Sequence, residues 1–227
     1  MAIRLEKGQN SKLSLELFNV GLGWDVREDN SSNEDFDLDV SAFMLTSNKK
    51  IPSDDYLVFY NSEKRVRPSN LTKIVSYKEW TGGRDYWTGK ENEAMRRESR
   101  PVDPDLSVIG SIDDEDGSTS EDGDDETMDI NLTNVRSDVC EIIICVSIHE
   151  YEKRRQNFGQ VERAYVRLYK PGQAENEGEY IYDLTEDFST CASIEFCRLY
   201  RKDDGWKIQA LGIGHKGGLE ELVNKFV

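Results

Sequence analysis

The segment Asp35-Phe36-Asp37-Leu38-Asp39-Val40-Ser41-Ala42 alternates carboxylates with apolar side chains. On a strand, the two-residue period sets Phe36, Leu38, Val40 and Ala42 on one face and Asp35, Asp37 and Asp39 together on the other. Neighbours on one face stand about 6 to 7 Å apart. Three anions at that spacing repel, and a hard cation held among them would reverse the sign of the interaction. A solvated acidic face satisfies the same pattern. A second acidic run, Asp113-Asp114-Glu115-Asp116-Gly117, continues through Glu121-Asp122-Gly123-Asp124-Asp125-Glu126. Asp and Gly in alternation let a loop turn sharply and aim oxygens inward, as the six to eight oxygen ligands of Ca²⁺ require. Alone, such a run also describes a solvated loop. It is not an EF-hand, because the D-x-[DN]-x-[DN]-G pattern with its closing Glu is absent. Two acidic clusters in one small chain make calcium the reading that accounts for both.

Other chemistries find less support in the residues. Cys140, Cys145, Cys191 and Cys197 stand in C-x4-C and C-x5-C spacings, unlike the usual C-x2-C zinc pairs, and read as reduced, buried thiols. Gly212-Ile213-Gly214-His215-Lys216-Gly217 matches G-x-G-x-x-G, but the printed chain ends at Val227, before the second strand and acidic residue of a dinucleotide unit. Its glycines are expected to turn the chain into a last helix. His149 and His215, the two histidines, read as structural. With no nucleophile or general base defined by motif, no enzymatic activity is expected.

Charge narrows the partners. Lys and Arg total 29 and Asp and Glu 45, a formal charge of −16, which repels phosphate backbones and disfavours nucleic acid. Residues 101–135 carry 12 acidic side chains and no basic one, so most of the excess sits in a single stretch. Just upstream, residues 62–100 hold 10 basic and 6 acidic residues, including Arg65, Arg67, Arg96, Arg97 and Arg100. No apolar run approaches the roughly 18 residues of a membrane span, and the first residues lack the apolar core of a secretory signal. A cytoplasmic protein is the expectation.

The elements that must carry these residues are mostly strands. Leu13–Leu17, Asp37–Leu45, Tyr56–Tyr60, Met128–Leu132, Glu141–His149, Arg163–Tyr169, Glu179–Leu184, Ser193–Arg201 and Trp206–Leu211 are short, rich in β-branched and aromatic residues, and bounded by Gly, Asn and Asp. They predict a mainly β chain, a two-sheet antiparallel β-sandwich. Leu219, Leu222, Val223 and Phe226 fall at helical spacing and predict a C-terminal helix over Gly218–Phe226. A shorter helix is expected over Glu150–Asn157. Residues 1–227 read as one domain, with a long insertion at about 62–109 where no period is sustained. Its tryptophans and arginines suit a protein-docking surface.

Several of these motifs, in this order, resemble the TerD family of tellurium-resistance and stress proteins. They are Val20-Gly21-Leu22-Gly23-Trp24-Asp25, the Asp35–Asp39 segment running into Ser41-Ala42-Phe43, Phe59-Tyr60-Asn61, Asp122–Glu126, Gln156-Asn157-Phe158-Gly159-Gln160-Val161, Leu199-Tyr200-Arg201 and Gly217-Gly218-Leu219. The resemblance implies a two-sheet β-sandwich binding one or two Ca²⁺ ions in acidic loops at one end. Position by position, Asp25, Asp37 and Asp39, with Asp35 beside them, match the first acidic motifs; Asp122, Asp124, Asp125 and Glu126 match the second. The implied function is a calcium-binding stress-response protein in which Ca²⁺ orders acidic loops into a surface for protein partners. The alternative is a docking module working through the basic, Trp-containing insertion, with metal only structural.

Overall fold

A computed structural model describes residues 3–26, 37–80, 95–112, 124–173, 179–183, 188–203 and 205–227. Fifteen strands form within them: β1 (Ile3–Arg4), β2 (Asn10–Lys12), β3 (Leu17–Val26), β4 (Leu38–Thr46), β5 (Leu57–Val58), β6 (Lys64–Arg67), β7 (Asn70–Ser76), β8 (Arg100–Pro101), β9 (Val108–Ile109), β10 (Glu126–Asn131), β11 (Val139–Ile148), β12 (Val161–Tyr169), β13 (Tyr180–Asp183), β14 (Ser193–Lys202) and β15 (Gly205–His215). Two six-stranded sheets run in the orders β1-β13-β12-β3-β10-β9 and β2-β15-β14-β11-β4-β5. Pairing is antiparallel except between β1 and β13. The expected mainly β sandwich is the fold.

Alternation builds the core between the sheets. Phe18, Val20 and Leu22 of β3, with Met128 and Ile130 of β10, meet Leu38, Val40, Ala42 and Met44 of β4 and Ile142, Ile144 and Val146 of β11 in one buried cluster. The opposite face of β4 and β11 is also apolar at one end: Phe43, Leu45, Ile143 and Cys145 are buried under Leu222 and Phe226 of the C-terminal helix Leu219–Phe226. Phe43 and Phe226 lie 4.9 Å apart, centroid to centroid. Full burial of a side chain this size contributes roughly 1.5–3 kcal/mol, so the helix is an integral third layer.

The segment with no sustained sequence period carries its own small sheet, ordered β7-β6-β8. Val66 and Val102 pack with Ile109 of the main sheet. Arg65 is wholly buried there, donating from Nε to Ser99 Oγ (2.6 Å), from Nη2 to the Ser99 carbonyl (2.9 Å) and from Nη1 to the Tyr60 carbonyl (2.7 Å). Arg100 fastens this sheet to β10 through Asp129 (2.7 Å) and to the end of β9 through the Gly110 carbonyl (2.7 Å). That junction lies just before the acidic 113–123 segment, which is outside the described residues.

Elsewhere the differences are local. Leu13 and Leu15 are buried against the core but lie in a connection between β2 and β3. β3 itself was not anticipated as a strand. The helix expected over Glu150–Asn157 is one turn, Tyr151–Arg154, closed on either side by Glu150 (φ 48°) and Arg155 (φ 53°) in the left-handed region. Gly212 and Gly214 lie inside β15 and give room to Tyr182 and Phe188, while the turn into the last helix falls to Gly217 and Gly218. None of the four cysteines forms a disulfide; Cys145 and Cys197 are buried as expected, whereas Cys140 and Cys191 are only half-buried.

A candidate cation site at one end of the sandwich

Register brings the acidic motifs to one end. Leu38 of β4 pairs with Ile148 of β11, so Asp37, Asp39 and His149 meet where β4 begins and β11 finishes. Glu126 of β10 pairs with Leu22 of β3, so Asp124, Asp125 and Glu126 lie beside the end of β3 that carries Asp25. Asp25 pairs in turn with Glu162 of β12. The Ile148 N–H donates to the Ala192 carbonyl at 3.0 Å and the Phe158 N–H to the adjacent Cys191 carbonyl at 2.9 Å, while Val161, just beyond Phe158, pairs with Val26 of β3, so the acidic ends of the two sheets lie at the same end. Asp35 and Asp122 lie outside the described residues, in the two segments attached at this end.

On the second sheet, Asp37 and Asp39 are both buried, at 5% and 6% exposure. Arg154, at the end of the Tyr151–Arg154 turn, places Nη2 3.2 Å from the Asp37 carboxylate. The Asp37 carbonyl accepts the His149 backbone N–H at 2.8 Å. His149 Nδ1 lies 3.6 Å from Asp39, an electrostatic approach rather than a hydrogen bond, and the ring meets Tyr60 edge-on at 5.5 Å. Burial pushes the Asp39 carboxyl above its ordinary range against the pull of His149, Arg96 and Arg154. Asp39 in turn raises His149 above 6.5. The pair opens into a cleft of about 680 Å³ between the 149–153 segment and the start of the C-terminal helix, lined by Glu150, Glu152, Glu220 and Glu221 among others.

On the first sheet the arrangement is tighter. Asp124 accepts a two-point contact from Arg167 of β12, Nε to Oδ1 at 2.8 Å and Nη2 to Oδ2 at 2.7 Å, and the Tyr165 hydroxyl lies 3.1 Å from Oδ1. Both charged side chains of that pair are 3% exposed. Gly21 makes it possible, since a Cβ there would overlap the Asp124 carboxylate, and one at Gly23 would overlap the Tyr165 ring. Asp125 accepts the Trp24 backbone N–H at 3.0 Å, and its own N–H donates to the Leu22 carbonyl at 2.8 Å. Glu126 is buried.

The described carboxylates thus gather at one end, yet Asp37 and Asp124 each have an arginine. Among the described residues no three His, Cys, Asp or Glu side chains come close enough together to hold a metal ion. The chemistry that suits a hard cation lies on the second sheet, where Asp39 is so buried that its ionised form is disfavoured without nearby positive charge. Sequence reasoning did not find His149, Arg154 or Arg167. Only the strand register joins them to the acidic motifs.

Sandwich and acidic end together describe a mainly β protein with its buried carboxylates at strand ends, and comparison with known proteins gives its family. Residues 1–80 and 100–226 match the TerD domain, and the chain belongs to that family. It is 37% identical over 232 residues to the tellurium resistance protein TerD of Serratia marcescens, covering 100% of this chain and 97% of that one. General stress protein 16U of Bacillus subtilis (strain 168) is 33% identical over 231 residues, covering 100% of this chain and 97% of its own. A solved homologue of telluride resistance protein (TerD) from Streptomyces coelicolor A3(2) shares the fold, with a TM-score of 0.51 at 16% identity over 92% of this chain and 96% of that one. The relatives are thus tellurium-resistance and general-stress proteins. Among the described residues no helix is long and apolar enough to cross a membrane.

Proposed function

We propose that this chain is a calcium-binding, non-catalytic member of the tellurium-resistance and stress-response group, whose acidic end becomes a binding surface for a protein partner. The observation that carries the reading is the convergence of Asp25, Asp37, Asp39, Asp124, Asp125 and Glu126 from two sheets on one end, where both remaining acidic segments attach. Asp37 and Asp39 would contribute from β4, Asp25 from β3, and Asp35 and Asp122 from the adjoining segments. Bound Ca²⁺ would add to the positive charge that Arg154 and Arg167 already bring to the carboxylates of this end. The chain's own part is to hold the strand ends in register and to keep Asp39 dry. His149, with Nδ1 3.6 Å from Asp39, has its pKa raised by that carboxylate.

The test is calorimetric titration of metal-stripped protein with Ca²⁺ and, in parallel, Mg²⁺. Saturable, Ca²⁺-selective binding of one or two ions is expected, with a rise in melting temperature of about 4–8 °C or more at saturating ion. Asp37→Asn combined with Asp39→Asn should remove that rise. Weak heats indistinguishable between the two ions, or an unchanged rise in the double variant, would overturn the reading.

A further inference from the structure

The cleft of about 680 Å³ has two acidic walls and a polar floor. Glu152 stands on the wall made by the 149–153 segment and Glu220 on the wall made by the start of the C-terminal helix; both are exposed, and among the described residues neither has a basic partner. Tyr151 joins the walls. Its hydroxyl donates to Glu152 at 3.1 Å, a Cβ at Gly218 would come within 3.1 Å of its ring, and the charges of Glu152, Glu221 and Glu220 all reach it. On the floor, Val146 and Ile148 face the core, so Ser147 between them faces outward, in register with Asp39 on one side and Ser193 on the other. Ser193 donates to the Gly217 carbonyl at 2.8 Å. Ser147 lines the cleft, is 2% exposed, and its hydroxyl has no hydrogen-bond partner among the described residues. A hydroxyl so dry and unpaired is unfavourable until something enters the cleft to meet it.

The chain's own charges do not fill it. Lys153 pairs with Glu150 at 2.6 Å, and the positive charges of His149, Arg96 and Arg154 fall on Asp39. Nor does the helix start invite an anion, because Glu221 already accepts the Gly217 N–H at 2.6 Å. We propose that the cleft is a docking site for an arginine-bearing peptide segment of a partner protein, with Glu152 and Glu220 meeting the guanidinium charge and Ser147 accepting one of its N–H groups. A guanidinium suits this lining because its forked donors serve carboxylate and hydroxyl together and its plane stacks on aromatic rings, here those of Tyr60 and Tyr151. The volume lies within the about 300–1,000 Å³ of ligand clefts. The partner is a different protein, since a second copy with the same charge of −16 would be repelled. This rests on the protein-partner half of the reading above and not on calcium.

The probe is a fluorescein-labelled Gly-Arg-Gly-Arg-Gly peptide, titrated by fluorescence anisotropy in EDTA at about 100 mM NaCl, where remote charges are screened beyond about 10 Å. Wild type should bind it saturably, and the lysine analogue at least about threefold more weakly. Glu152→Gln combined with Glu220→Gln should weaken binding about tenfold, the sum for two partly exposed ion pairs. Glu16→Gln combined with Asp203→Asn removes the same charge at the opposite end, just before β3 and in the turn after β14, and should change it less than about twofold. Ser147→Ala should weaken binding about threefold with its melting temperature unchanged or raised, because the hydroxyl it deletes bonds nothing in the unliganded chain. Absence of saturable binding, an equal loss in the remote pair, or a Ser147→Ala variant that binds like wild type overturns the proposal. So does dimerisation of wild type that Glu152→Gln with Glu220→Gln abolishes, since the occupant is then a second copy. EDTA keeps the two readings apart: a chain that takes the peptide but no Ca²⁺ loses the calcium reading alone, and one that takes Ca²⁺ but no peptide loses this proposal alone.

Discussion

Gly21 and Asp124 work as one unit: the missing side chain of one is the seat of the other's carboxylate. Gly21→Ala is therefore expected to cost about 1–3 kcal/mol in urea unfolding, since the added methyl must displace a carboxylate bound to Arg167. Combined with Asp124→Ser, the two changes should be markedly non-additive, because the smaller side chain gives the methyl room. His149 makes a separate residue-scale prediction. Asp39 raises its pKa above 6.5, so the folded state holds the proton more tightly than the unfolded chain. The stabilisation is complete below about 6.5, the unfolded value, and is lost as pH rises through the higher native value. An NMR titration should place the His149 midpoint above 6.5, and Asp39→Asn should lower it.

Among the elements, the C-terminal helix is held by few but well-buried contacts, Leu222 and Phe226 on Phe43, Leu45 and Ile143, with Lys225 paired to the buried Glu195. Leu222→Ala should cost about 2–5 kcal/mol. Because Cys145 lies in the same cluster, the variant should also react faster with a thiol reagent, a readout of helix lifting that global melting does not give. This helix was legible because its apolar residues recur at helical spacing. So were β4 and β11, whose apolar residues are dense enough to define strands without knowledge of their partners. β3 was not, because Gly21 and Gly23 punctuate it like a turn, and their reason is the approach of Asp124 and Tyr165 more than a hundred residues later. The small sheet of β6, β7 and β8 was hidden likewise: Arg65, charged and so read as surface, is buried by carbonyls that only the fold assembles. At the acidic end, the alternation of Asp37, Leu38, Asp39 and Val40 announced which face each would take. The arginines opposing those carboxylates could not be read, since their pairing spans 117 and 43 positions of sequence.

For the whole molecule, the formal charge of −16 is concentrated in one stretch, and that stretch attaches at the end that also carries Asp37 and Asp39. The basic block before it is partly spent in fastening: Arg65 is consumed inside the small sheet, and Arg100 bolts that sheet to Asp129 of β10. The TerD match runs into this block from both sides, through residue 80 and again from residue 100, and omits residues 81–99. Crowded like charge predicts that the metal-stripped protein melts higher as NaCl rises from about 10 to 150 mM, because the Debye length falls from about 30 to 8 Å. Salt should have a smaller effect once Ca²⁺ is bound, if the ion already neutralises that end. Differential scanning calorimetry at several salt concentrations, with and without Ca²⁺, measures both.

β1 lies at the margin of one sheet, on β13, and β2 at the margin of the other, on β15, with only a few residues between them. The start of the chain is thus a hem sewn along both layers on the same side. Unpicked, it would uncover two rows of backbone donors and acceptors at once, on β13 and β15, each able to recruit a strand from a neighbouring molecule. A variant lacking residues 1–12 should therefore form concentration-dependent oligomers, and a peptide spanning those residues, supplied in trans, should return it to the monomer.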